Sequence, residues 1–397
     1  MLRSVKIRLL PTPQQEALFW ESAGAARWAY NYFLSENERV YREYLSNGEQ
    51  GRRYISGGDL RKHINNDLKP TTHKWLKRIG SNVMKQAVID AEKEFKNYLT
   101  SNKGKPKYKS RKYSKASFYV NYESLRRTDN GFKGEKIGVV KTAYSLPKLP
   151  KGQKYANPRI SYDGKYWYLS VGYPVEVKRE ELTNETIGVH LGLDNLAVCS
   201  DGKAFENINH SKRIKKLDKR LKRQQHRLSE KIDENTAAYN GKRRIYKKPL
   251  TECKNISRQR EKIRATYKKL RDIRNNHLHQ TTSQIVKTKP SCLVVEDLNV
   301  TEMLKNQYIA KEVAEQSFHE FKRQITYKSE QYGIEVVYAD DLYTICKRCS
   351  RCGNISRSFD PNSRVYRCEY CGFTLDRDVN ASMNLAQYQK YPSLSGS

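Results

Sequence analysis

The chain reads as a multidomain α/β protein with a small metal ribbon nested near its C-terminal end. Three observations predict this. Strand-like alternation and helix-like periodicity interleave along 397 residues, enough for two or three cores. Two Cys-x2-Cys pairs stand close together, Cys349 with Cys352 and Cys368 with Cys371. A polar linker, "REELTNET" (179–186), is followed by an apolar strand at 187–191 that opens a new domain.

The elements follow in order. Residues 1–10 alternate as a strand. "PTPQQEALFWESAGAARWAYNYFLSENERVYREYL" has helical periodicity, with Pro13 near the helix start. "SNVMKQAVIDAEKEFKNYL" continues it. From Lys103, "KGKPKYKSRKYSK" packs seven Lys/Arg and two Tyr into thirteen residues. Residues 116–177 turn to strands, with a hairpin about Asp163-Gly164. Residues 211–280 form two basic helical segments. One stripe is Ile214, Leu217, Leu221, Leu228 and Ile232; the other is Ile256, Ile263, Tyr267 and Leu270. "NTAAYNGKRR" loops between them, and antiparallel pairing buries both stripes. A plain helical hairpin with solvated charges is the bland account of that pair. "SCLVVEDLNV" (291–300) and "IEVVYAD" (334–340) are buried strands.

The charge decides the partner class. The formal net charge is +33, from 76 Lys+Arg against 43 Asp+Glu, and this predicts a polyanion, nucleic acid by default. An anionic membrane competes, but no apolar run approaches the roughly 20 residues that span a bilayer. The N-terminus carries no apolar region of signal-peptide length, so a cytoplasmic, nucleoid-associated protein is expected. A basic structural RNA-binding protein would fit the charge as well, but such chains are usually shorter and poorer in aromatics than one with 28 Tyr.

Of eight cysteines, Cys199, Cys253 and Cys292 are scattered and five lie between Cys346 and Cys371. Scattered disulfides do not crowd in this way; a metal site in a reducing compartment does. Two Cys-x2-Cys knuckles suit a tetrahedral structural Zn²⁺ on Cys349, Cys352, Cys368 and Cys371. Gly353 and Gly372 follow the second Cys of each pair, where a tight turn is needed. Four free buried thiols are the alternative. Cys346 is a spare thiol, because four ligands close the site.

Two carboxylates invite a role. Glu296 ends the strand "LVVE", and Asp378 opens a helix in "DVNASMNLA". Two-metal nucleases hold Mg²⁺ with three or more such acids. Taken singly, Asp378 could be a helix cap and Glu296 a surface acid. On the other face of the strand from Ile187, Val189 and Leu191 stands a histidine, His190.

Longer stretches carry more. "KIRLLPTPQQEALF", "GAARWAYNYFL", "GKPKYKSRKYSKASF", "PRISYDGKYWYLSV", "IGVHLGLDNLAV", "LVVEDLN", the two cysteine knuckles and "DRDVNASMNLA" together make the chain resemble the TnpB family. These are RNA-guided, transposon-encoded relatives of type V CRISPR effectors, and the resemblance covers essentially the whole length. It implies a wedge-type β-barrel from 1–10 and 116–182 and a helical recognition domain at 11–115. It implies an RNase H-like RuvC domain at 183–345 and 376–397, with the helical pair 211–280 as an insertion and a zinc ribbon at 346–375. The implied partners are a guide RNA and double-stranded target DNA with a short adjacent motif.

By the same resemblance, Glu296 and Asp378 match the second and third RuvC acids. The first should stand at His190: the family pattern G-[IV]-D-L-G reads here Gly188-Val189-His190-Leu191-Gly192. An imidazole removes one negative charge and a hard oxygen ligand, which Mg²⁺ prefers. Asp194 lies four residues on, roughly 13 Å along an extended strand, and is not expected to substitute. A softer ion such as Mn²⁺ on His190 would leave residual activity.

For nucleic-acid contact, the basic run offers Lys105, Lys107, Tyr108, Lys109, Arg111 and Lys112, with a solvated loop as the bland account. On the helices, Arg27, Tyr30, Asn31, Asn82 and Gln86 are candidate readers of the duplex beside the target. Two functions follow. One is guide-RNA-dependent DNA binding without cutting, acting as a transcriptional repressor. The other is an RNA-guided DNA endonuclease of a transposon, active or metal-shifted, for which Mg²⁺ would be a cofactor.

Overall fold

The computed structural model describes residues 2–101, 104–111, 114–176, 181–241, 243–339, 345–356 and 363–388. The chain divides into two compact units, Met1–Val175 and Glu176–Ser397. No helix among the described residues is long and apolar enough to cross a membrane.

The first unit is a sheet with helices inserted after its first strand. Strand β1 (Leu2–Leu10) leads to helix α1 (Pro13–Ser46), then α2 (Gly57–His63) and α3 (Ser81–Thr100). The start of α1 is fixed by local chemistry. Thr12 and Gln15 form a reciprocal capping box, and Pro13 supplies the first helical φ. Six strands follow: β2 (Ser117–Tyr119), β3 (Arg126–Thr128), β4 (Gly131–Gly134), β5 (Gly138–Thr142), β6 (Ala156–Tyr162) and β7 (Trp167–Pro174). They order as β2-β6-β7-β1-β5-β4-β3, all antiparallel. The strands expected to make a barrel thus form one seven-stranded sheet, and among the described residues no pairing joins its ends, β2 and β3. The expected hairpin is β6–β7, turned by 163–166: the Asp163 carboxylate accepts from the amides of Lys165 and Tyr166, and Gly164 takes a φ of +100°. Phe19, Phe33, Phe95, Phe118 and Trp167 are all but fully buried in its core. Burial of such rings is the main driving force for docking the helices on the sheet, at about 2–3 kcal/mol each.

The second unit holds a five-stranded sheet ordered β10-β9-β8-β13-β14. Strands β8 (Thr186–Leu191), β9 (Asn195–Cys199) and β10 (Ala204–Glu206) are antiparallel. Between β10 and the rest run α4 (Lys212–Glu234), the hairpin β11 (Thr236–Asn240) and β12 (Arg243–Tyr246), and α5 (Lys254–Val286). Then β13 (Cys292–Glu296) pairs in parallel with β8. Helices α6 (Val300–Met303), α7 (Ala310–Gln316) and α8 (Phe318–Tyr332) lead to β14 (Glu335–Ala339), parallel to β13. The ribbon hairpin β15 (Val365–Arg367) and β16 (Thr374–Asp376) precedes α9 (Arg377–Ala386). Three antiparallel strands beside two parallel ones are the sheet expected of an RNase H-like domain.

Strand periodicity sorts the two faces of this sheet. Ile187, Val189 and Leu191 of β8 join Leu293 and Val295 of β13 against α5 and α8. Gly188 and His190, with Cys292, Val294 and Glu296, face the other way, toward α9. A Cβ on Gly188 would lie 2.0 Å from the Ser382 carbonyl oxygen and 2.5 Å from the Ala386 amide nitrogen. Only glycine lets α9 sit directly on β8. Gly188→Ala is therefore expected to lower the stability of this unit by about 3 kcal/mol, since backbone must move to admit the methyl. A urea midpoint indistinguishable from wild type would contradict that packing.

The helical pair forms as expected, with two corrections. "NTAAYNGKRR" is not an irregular loop: it builds most of the β11–β12 hairpin. Tyr267 is not in the buried stripe. It is 51% exposed, while Gln259 and Thr266 are buried in its place. Ile214, Leu217, Leu221, Gln224 and Leu228 on α4 meet Ile256, Gln259, Ile263, Thr266 and Leu270 on α5 in alternating steps of three and four. The polar members satisfy one another: Gln259 donates to the Gln224 carbonyl, and Thr266 donates to Gln224 Oε1, both at 2.8 Å.

Candidate active site and metal centre

The parallel register that sets Val295 beside Val189 brings Glu296 level with His190. Helix α9, seated on Gly188, brings Asp378 over them. His190 Nδ1 is 2.8 Å from Glu296 Oε2, and its Nε2 is 3.7 Å from Asp378 Oδ1. The first contact is a close ion-pair approach with poor hydrogen-bond alignment at Nδ1. The imidazole is 9% exposed and Asp378 6%. Burial by itself would lower the imidazole pKa, but the contact with Glu296 and the charges of Glu296 and Asp378 outweigh it, so the pKa is raised and the cation is favoured. Arg377 Nε lies 3.3 Å from Asp378 Oδ1. Each acid thus has a cation from the chain itself.

Asp378 is not the cap of its helix. Asp376 caps α9, accepting from the amides of Asp378 (2.9 Å) and Val379 (3.1 Å). The Asp378 side chain is left to face His190. Asp194 does not join them: it is exposed and paired with Arg364. Cys346 is near enough to feel both acids. Burial first, then the charges of Glu296 and Asp378, push its thiol up to about 11. Among the described residues, only the four ribbon cysteines bring three or more ligand atoms within 4.8 Å of one another. The group at His190 does not fit a Mg²⁺ pair. A nitrogen base bridges the two carboxylates where hard anionic oxygens would be needed.

The ribbon fits its metal. Cys349 Sγ and Cys371 Sγ are 3.7 Å apart, and Cys352 Sγ and Cys368 Sγ 3.6 Å. Four thiolates about 2.3 Å from one Zn²⁺ in a tetrahedron lie about 3.8 Å from each other. Both knuckles have the same turn. Gly353 N–H donates to Cys349 O and Gly372 N–H to Cys368 O, with φ of +77° and +69° at the glycines. Cys349 N–H donates to Asn354 O, as Cys368 N–H does to Phe373 O. Cys346 lies outside the cluster.

Two residues that sequence reasoning missed join ribbon to acid site. Asn380 and Asn384 are fully buried on α9. Asn380 accepts from the Ser350 amide and donates to the Arg348 carbonyl, at 3.0 and 2.8 Å. Asn384 donates to the carbonyls of Ile345 and Arg348 at 2.8 and 2.7 Å. The first knuckle is thereby held on the helix that carries Asp378. The available signal was two asparagines four apart inside a helix, where neither has a propensity reason to be.

The candidate readers of the first unit are placed less uniformly. Arg27 and Gln86 line a cavity of about 230 Å³ with Asp90, Lys109 and Arg159. Gln86 donates to Asp90, which also takes a bidentate pair from Arg159. Asn82 donates to Glu135 at 3.3 Å. Tyr30 and Asn31 need correction as base readers. Tyr30 is 1% exposed with its hydroxyl on Glu94. Asn31 clamps the backbone of Lys109 from both sides at 2.8 Å. Lys109 lies inward, 3.4 Å from the centre of the Tyr30 ring, and burial lowers its pKa. Together they anchor the basic segment on α1. Lys105, Lys107, Tyr108 and Arg111 are exposed, with Lys105 3.1 Å from Glu38, and Lys112 lies outside the described residues.

Three family models match: "Helix-turn-helix domain" of the OrfB_IS605 group over residues 1–46, "Probable transposase" of the same group over 170–307, and "Cas12f1-like, TNB domain" over 318–385. The chain is similar to the TnpB family over these three segments.

Over 2–46, where the helix-turn-helix model matches, the chain has a strand and one continuous helix. It is 26% identical to "Putative RNA-guided DNA endonuclease InsQ" of Escherichia coli K12, over 97% of this chain and 91% of that one. It is also 26% identical to "Putative RNA-guided DNA endonuclease" of Streptomyces pristinaespiralis, over 96% and 88%. The solved structure "Cryo-EM structure of the Cas12f1-sgRNA-target DNA complex" shares the fold with a TM-score of 0.56 at 12% identity, covering 97% of this chain and 98% of that chain.

Proposed function

We propose that this chain binds DNA under the direction of a guide RNA without cutting it, and that it acts as a transcriptional repressor by occupying its target. The observation that carries the reading is His190 lodged between Glu296 and Asp378, a nitrogen base set between the acids that would gather Mg²⁺. The net charge of +33 supports a nucleic-acid partner. In this reading the regions 1–10 with 116–182 and 11–115 handle the adjacent motif. The RuvC segments, 183–345 and 376–397, hold the heteroduplex by its backbone, and 346–375 binds zinc.

A second reading has one observation in its favour. Glu296 and Asp378 are intact and face one point, as an active or metal-shifted transposon endonuclease would require. One experiment separates the two: purified chain, its co-purifying RNA and a matched duplex are mixed with Mg²⁺. The expected result is RNA-dependent retention of the duplex with no strand cut. Affinity should fall steeply with salt, about 0.9 in log–log slope per neutralised phosphate. RNA-free protein holding one sequence as selectively would defeat the guide reading. Efficient cutting by the unaltered chain, abolished by Glu296→Ala, would make the second reading correct.

A further inference from the structure

We infer that the β11–β12 hairpin is a stacking platform for unpaired bases of RNA, an inference that rests on the guide-RNA reading above. The hairpin joins α4 to α5. Its register ends on Asn240 opposite Arg243, and Gly241 takes the turn at a φ of +57°. The two strands form a sheet of their own. Tyr239 is 62% exposed, Ile245 49% and Tyr246 37%. A two-stranded ribbon is marginal in water when nothing covers it, and large apolar side chains on it are then a cost. This ribbon is nonetheless held firmly at its base. Asn235, at the end of α4, donates to the Lys248 carbonyl and accepts from the Lys248 amide, at 2.7 and 3.3 Å. Lys247 donates to the Glu234 carbonyl at 2.9 Å. The platform is preorganised, and its rings face solvent.

Its chemistry selects the occupant. Tyr239 pairs across the ribbon with Arg244, whose guanidinium lies 5.9 Å from the ring centre and is fixed by Asp233 at 2.5 Å. By the two-residue period of a strand, Tyr246 follows Arg244 on that face, giving a Tyr-Arg-Tyr surface. Residues 236–248 contain five cations, Lys242, Arg243, Arg244, Lys247 and Lys248, and no acid. A second copy of the chain would set these charges against themselves. A duplex keeps its base faces stacked inside. An RNA with unpaired bases offers both what the rings need and what the cations need.

The test uses the full chain and the RNA extracted from it. Tyr239→Ala with Tyr246→Ala is compared with Tyr239→Phe with Tyr246→Phe, and thermal midpoints report folding. The alanine pair should weaken RNA binding about 100-fold, roughly tenfold per ring, and the phenylalanine pair should bind like wild type. The salt slope should stay unchanged in both, since no phosphate contact is removed. An alanine pair binding RNA within twofold of wild type would overturn the inference and leave the guide reading standing. So would an alanine pair that loses only duplex affinity. Wild-type chain that carries and binds no RNA would overturn both.

Discussion

His190→Asp is expected to switch on Mg²⁺-dependent cutting of a guide-matched duplex. The unaltered chain has two acids and a bridging imidazole. The substitution places a third carboxylate on the strand face that already carries Glu296, beneath Asp378. Metal-held charge stabilisation is worth several kcal/mol at the transition state, so a rise of about a thousandfold or more in cleavage rate is expected. Stability should move in the opposite direction when no metal is present. The variant loses the 2.8 Å pair with Glu296 and gathers three acids in a buried space. Breaking a buried pair costs about 3 kcal/mol or more, which is roughly 6–12 °C in the thermal midpoint of a unit this size. Added Mg²⁺ or Mn²⁺ should recover that loss in His190→Asp and leave wild type unmoved. A variant showing neither cutting nor a metal-dependent midpoint would mean that Glu296 and Asp378 cannot close around an ion.

Removing one ribbon cysteine should have the other large effect. Wild type should carry one zinc per chain by elemental analysis; Cys349→Ser and Cys371→Ser should carry little. In small zinc domains metal binding supplies about 10–16 kcal/mol of folding free energy, more than the net stability of most domains. The consequence should extend beyond the ribbon. Asn380 and Asn384 tie the Cys349 knuckle to α9, and α9 holds Asp378 over His190. Amide exchange across 377–386 should therefore rise on loss of zinc. Asn380→Ala is the separating control: it should keep its zinc while loosening the same helix. Freshly purified protein that holds no zinc would falsify this account.

Much was legible in the sequence, for reasons that are local. Thr12, Pro13 and Gln15 define a helix start with atoms a few residues apart, and the strand alternation of 187–191 separates Val189 from His190 without reference to the rest of the chain. The cysteine spacing likewise sets two identical turns, because each knuckle closes on itself. The missed features depend on a neighbour. Tyr267 looked apolar enough for the α5 stripe, but the seam takes Gln259 and Thr266, since Gln224 across the interface bonds both. Tyr30 and Asn31 looked like free polar groups on a helix, until Glu94 and the backbone of Lys109 met them.

For the acid site the division is the same. The residue types alone determined that an imidazole stands at 190, that carboxylates stand at 296 and 378, and that four thiols are spaced for zinc. Only the tertiary structure decided what His190 does there. Strand register sets it level with Glu296, and a helix seated on Gly188 lowers Asp378 to its other side. A side chain's charge is written in its own residue, whereas the charges it must balance come from 106 positions away for Glu296 and 188 for Asp378, and only folding brings them within reach.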